Sequence, residues 1–172
     1  MRRLAAGLVT CAVLLSACAG DLSETDSSRR DEQGQVVGGG RVGVSVLRRG
    51  DCVVDADDLI GELSSVEVVP CSEPHEAQVF AMFDVPGPAG ADWPGQETLD
   101  DTARRGCTDR LDSVDPAALG EDLGLVFLSP SEASWRNSDD RGVICFISAE
   151  EDGTLGGDIV VNPDPTGAAP SA

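Results

Sequence analysis

Four cysteines in one exported stretch constrain this chain more than any other feature. The chain opens on Met1, Arg2 and Arg3, runs without a charge from residue 4 to residue 15, and closes on Ser16, Ala17 and Cys18, the pattern of an export signal. Of six cysteines, Cys11 and Cys18 belong to that segment. Cys52, Cys71, Cys107 and Cys145 remain, an even number bound for an oxidising compartment, so two disulfides are expected. Four cysteines allow three connectivities, and spacing alone does not choose among them. A zinc site is the rival reading, yet the gaps of 19, 36 and 38 residues contain no C-x-x-C pair, and His75 is the only imidazole. No metal or cofactor is expected.

Leu15, Ser16, Ala17 and Cys18 resemble the lipobox of bacterial lipoproteins, in which a diacylglycerol is joined to the cysteine thiol before the signal is cut away. That resemblance makes residues 1–17 a signal peptide and Cys18 the lipidated first residue of the mature chain. The apolar run is shorter than the roughly 20 residues a permanent span needs. Two acyl chains anchor stably where one binds only marginally. The expected address is therefore the outer face of the cytoplasmic membrane, with the lipid as the membrane contact.

Residues 19–40 are rich in Ser, Asp, Glu, Arg, Gln and Gly and too poor in apolar side chains to build a core, so residues 18–40 read as a lipidated flexible tether. Residues 162–172 carry three prolines and no large apolar side chain, and read as a disordered tail. Between them, residues 41–161 are enough for one compact domain of about 120 residues. Valines at 42, 44, 46, 53 and 54, then residues 66–69 and 77–85, read as strands. From 97 to 114 the period changes: Leu99, Ala103, Cys107 and Leu111 fall four apart, the stripe of one main helix. Residues 123–128 and 143–147 read as further strands, with a hairpin turn at Glu151, Asp152 and Gly153 returning toward Val161. The fold class is α+β, a small antiparallel sheet with one main helix packed on it, braced by two disulfides. Four phenylalanines make a thin core, which gives the disulfides more to do.

The chemistry is sparse. With 12 arginines, no lysine, 31 acidic residues and a formal charge of −19, nothing neutralises a phosphate backbone, so nucleic acid is not a partner. Gly38, Gly40 and Gly43 match G-x-G-x-x-G by letter only, because no strand precedes them and no helix opens after them. Asp55, Asp57 and Asp58 hint at calcium, but Ile60 occupies the position where the loop wants glycine. A hydrolytic triad would depend entirely on His75, and no G-x-S-x-G elbow exists.

Gly50, Asp51 and Cys52, then Val69, Pro70 and Cys71 with Pro74 and His75, Val79 and Phe80, are followed by Trp93, Pro94 and Gly95, then Cys107. Pro130 and Ser131 with Trp135, and Asp140 and Arg141 before Cys145, complete a pattern that resembles the septum formation family over residues 47–161. The resemblance implies an actinobacterial envelope protein, tethered or lipid-anchored, associated by name with cell division and lacking an established enzymatic activity. It also implies the pairings Cys52 with Cys71 and Cys107 with Cys145. Arg48 and Arg49 interrupt the family's usual run into the first cysteine. His75 reads as a turn residue holding 70–74 rigid, or as a ligand contact. Trp93 and Trp135 lie in loop-like sequence and read as contact residues or as packing over a disulfide. The expected function is a non-catalytic binding module whose partner is an envelope protein or a cell-wall component. The alternative is a cell-wall hydrolase or metal-dependent enzyme built on His75 and carboxylates.

Overall fold

The computed structural model describes residues 26–161 apart from 55–58, 60–62, 119–122 and 150–152. Cys11, Cys18, the Asp55, Asp57 and Asp58 cluster, Glu151, Asp152 and the 162–172 tail lie outside the described residues. Among the described residues there are eight strands and two α-helices: β1 Arg29–Arg30, β2 Val36–Gly38, β3 Gly40–Gly43, β4 Cys52–Val54, β5 Ser65–Val69, β6 Ala77–Asp84, α1 Gln96–Thr108, β7 Leu123–Leu128, α2 Glu132–Ser138 and β8 Gly142–Ala149. Strands β1 and β2 form a small hairpin, and the other six form one antiparallel sheet in the order β3-β5-β4-β6-β8-β7. The α+β expectation holds, with α1 as the main helix and α2 as a second, short one.

Period decides each strand's role. In β5, Val66 and Val68 are buried while Glu67 between them is exposed, as a strand with one wet face requires. β8 is apolar from Val143 to Ile147 because it lies between β6 and β7 and fills both faces: Val143, Cys145 and Ile147 join one core cluster, and Ile144 and Phe146 the other. β6 breaks the alternation by a bulge between Val79 and Ala81, which turns Phe80 and Ala81 to the helix-side core while Val79 faces the opposite one.

Helix α1 buries Leu99, Ala103 and Cys107, the stripe that the four-residue spacing predicts. It stops at Thr108 rather than continuing to 114. Leu111–Ser113 form a turn of 3-10 helix instead, in which Arg110 N–H reaches back only to Cys107 and Ser113 Oγ donates to the Arg110 carbonyl at 2.6 Å. The disulfides pair as the family resemblance implies. Cys52–Cys71 ties β4 to the turn after β5, with Cα atoms 5.3 Å apart, and Cys107–Cys145 ties α1 to β8, with Cα atoms 5.6 Å apart.

Two expectations need correcting. The described part of the 18–40 tether is not free chain: the β1–β2 hairpin forms there, and Arg30 makes a bidentate pair with the buried Asp51, Nη1 to Oδ1 at 2.6 Å and Nη2 to Oδ2 at 2.8 Å. That contact raises the Arg30 pKa above its ordinary value, against the effect of burial. The physical reason is a single long-range charge pair that composition averages away. Nor do residues 153–161 return along β8 as a hairpin strand. They cross to two other elements, Leu155 bridging His75 and Val160 bridging Val114. The fully buried Gln78 fastens them, donating to Asp158 Oδ1 at 2.7 Å and accepting from Ile159 N–H at 2.9 Å.

Candidate functional site

The two tryptophans, 42 residues apart in the chain, meet edge to face with ring centroids 5.7 Å apart. Trp135 reaches this position from α2, an element that periodicity could not reveal because seven residues are too few to repeat. Its signal is local. Ser131 caps the helix by accepting from Ser134 N–H at 3.1 Å, and Ser134 Oγ accepts from Ser131 N–H at 3.1 Å, a capping box closed by serine instead of the usual Glu or Gln. Glu132 stands in the first turn and Arg136 in the last, joined at 2.9 Å.

Trp135 is buried, not displayed. Its indole N–H donates to the Ala91 carbonyl at 2.8 Å, which fastens the loop carrying Ala91, Asp92 and Trp93 to α2. On its ring lies the guanidinium of Arg141, 3.6 Å from the centroid. The same guanidinium is paired with Asp139 and donates to the Asp140 carbonyl at 2.9 Å. Asp139 ends α2 in the left-handed conformation, φ 52°, and its Oδ1 also accepts from Gly90 N–H at 3.0 Å. Loop, helix end and β8 entry are thus held by one connected set of bonds.

Above this assembly lies a concave surface of about 540 Å³, lined by Ala91, Asp92, Trp135, Arg136, Asn137 and Asp139 among others. Trp93 is half-buried beside it, and Asp92, Arg136, Asn137 and Ser138 are exposed. Such a lining offers carboxylate, amide, hydroxyl and guanidinium groups around an aromatic base, the composition of a polar binding surface. It contains no nucleophile hydrogen-bonded to a base.

His75 lies elsewhere and shares no hydrogen bond or ring contact with either tryptophan. It is 0% exposed, its Nδ1 is 2.9 Å from the Glu73 carbonyl, and its backbone bridges Leu155. Nε2 is buried with no hydrogen-bond partner among the described residues. Of the two sequence readings of His75, the turn geometry matches the structural one: Glu73 N–H donates to the Pro70 carbonyl at 2.8 Å and the ring closes onto the same turn. Trp135 likewise acts through packing, and only Trp93 keeps an accessible surface. Both rings belong to the core that holds the Cys107–Cys145 disulfide, Trp135 within that cluster and Trp93 packed against it. Among the described residues, no group of three or more His, Cys, Asp or Glu is arranged to hold a metal ion. Among the same residues, no helix is long and apolar enough to cross a membrane.

Sequence reasoning missed Arg141 and Asp139 as members of this site. The available signal was an arginine two residues after an aspartate, at the end of a serine-capped segment that contains tryptophan. In comparison with known proteins, the family described as septum formation matches residues 10–145. That match begins upstream of residue 47 and covers all four disulfide cysteines. No curated protein and no solved structure matches the chain.

Proposed function

We propose that this chain, which belongs to the septum formation family, is a lipid-anchored module that binds a cell-envelope partner and performs no turnover of its own. Membership in that family points to a role in septum formation or cell division and to an envelope location. The finer reading places the domain on the outer face of the cytoplasmic membrane through Cys18. Its partner is another envelope protein or a component of the wall.

The observation that carries this reading is the Trp93, Trp135, Arg141 and Asp139 assembly beneath a polar concavity. A surface already fixed by stacking and hydrogen bonds loses little entropy when it is covered, so its binding free energy is not spent on ordering. Anchoring adds to this by raising local concentration at the membrane. The burial of His75 and the hydrogen bond it makes to its own turn favour a structural role over substrate contact.

Photo-crosslinkers placed at Asp92 and at Asn137 in dividing cells test the reading. A single discrete envelope species captured from both positions, and lost when Trp93→Ala is added, is the expected result. Capture indistinguishable from that at Glu132, on the other end of α2, would count against the site.

A further inference from the structure

The two edges of the six-stranded sheet are treated differently. At the β3 edge, Ser27 covers the backbone: its N–H donates to the Arg41 carbonyl at 3.1 Å, and its Oγ accepts from Arg41 N–H at 2.9 Å. At the other edge, β7 pairs only with β8, and among the described residues no strand lies on its outer side. Its sequence, Leu-Gly-Leu-Val-Phe-Leu, has none of the usual protections, neither charge nor proline, and its register with β8 contains no bulge. All six residues are only partly buried. An unguarded edge of that kind offers alternate N–H and C=O groups to any extended chain.

We propose that β7 is a strand-addition edge that takes an extended, alternately apolar and basic segment of a partner protein. An incoming strand would place successive side chains on opposite faces of the sheet. On one face its neighbours are Val126 and Leu128, which favour apolar side chains. On the other face α1 overhangs the strand: Gln96 Nε2 donates to Ser129 Oγ at 3.1 Å, Asp100 Oδ1 accepts from Ser129 Oγ at 3.2 Å, and Arg104 stands 5.8 Å from the Phe127 ring. Positions 96, 100 and 104 are therefore the helix stripe that meets β7. Glu97 and Asp101 sit one position further round, away from the buried Leu99 and Ala103. Glu97, Asp100 and Asp101 against Arg104 and Arg105, the last continuing the 97–101 stripe, leave that side of the edge net acidic and favour basic side chains. The same argument disfavours a second copy of this chain, since pairing would bring together two molecules of formal charge −19. The inference is independent of the tryptophan site, because it uses backbone groups at another part of the sheet.

The test is a titration of the full chain with a ten-residue peptide of alternating valine and lysine, read by amide hydrogen exchange. Exchange should slow at alternate amides within 123–128 and stay unchanged at 40–43. The same peptide N-methylated at every second residue loses its ladder donors and should bind at least about tenfold more weakly. A valine and glutamate peptide should also bind more weakly. Equal binding of the methylated peptide, protection centred elsewhere, or no binding would overturn the proposal. Self-association through β7, or β7 protection in the peptide-free chain that disappears when residues after 161 are removed, would overturn it as well.

Discussion

The guanidinium of Arg141 lies 3.6 Å from the centre of the Trp135 ring and donates to the carbonyl of that same residue at 3.3 Å. Arg141 is 7% exposed, so the stack and its hydrogen bonds operate away from water. Lysine cannot reproduce a planar group that stacks and donates in several directions at once. Arg141→Lys should lower stability by about 1–3 kcal/mol in a denaturant titration. Because the chain has two tryptophans and no tyrosine, its native emission should change in the same variant, reporting this site directly.

Gly106→Ala should also destabilise, although in an ordinary helix that change gains about 1 kcal/mol. Here an added Cβ would stand 2.2 Å from Phe83 Cζ, and Arg110 lies on the same ring at 4.2 Å. Forcing the ring aside costs about 1–3 kcal/mol, which outweighs the propensity gain. A lowered unfolding midpoint is the expected result, and in a Phe83→Ala background, where the ring is gone, Gly106→Ala should no longer lower it.

Arg30→Ala separates a hairpin that belongs to the domain from a tether that does not. Removing Arg30 leaves the carboxylate of Asp51, 4% exposed, without its charge partner. Breaking a buried pair in this way typically costs about 3–5 kcal/mol. The double variant Arg30→Ala with Asp51→Ala should lose less than the two single losses added together, as measured by thermal or denaturant unfolding.

The α+β class, the disulfide framework and the buried stripe of α1 were legible because they rest on signals repeated along the chain: cysteine count, valine alternation and the spacing of Leu99, Ala103 and Cys107. What escaped depends on single long-range contacts. Arg30 meets Asp51 from 21 residues away, and Gln78 grips Asp158 and Ile159 from the far end of the domain. Periodicity carries no record of such pairs. Helix α2 escaped for a different reason, since it is held by its cap and by Trp135 rather than by a repeating apolar face. The candidate site was half legible: Trp93 and Trp135 stood out as rare aromatics in loop-like sequence, but their meeting and the stacking of Arg141 required the fold.

Cys18→Ser tests the anchor. Without the thiol there is no acceptor for the diacylglyceryl group, and the short apolar segment at 4–15 is a poor permanent span. Fractionation should recover the variant either unprocessed or in the soluble fraction. Unchanged processing with full membrane retention would contradict lipidation at this residue.

The central claim, binding through the tryptophan site without turnover, is tested most directly by incubating the purified chain with isolated envelope material and measuring retention and released fragments together. The account predicts saturable retention that falls when Trp93→Ala is introduced, no release of soluble wall fragments, and no effect on either readout from a folded His75→Gln variant. Release of fragments by the native chain that His75→Gln abolishes would contradict it.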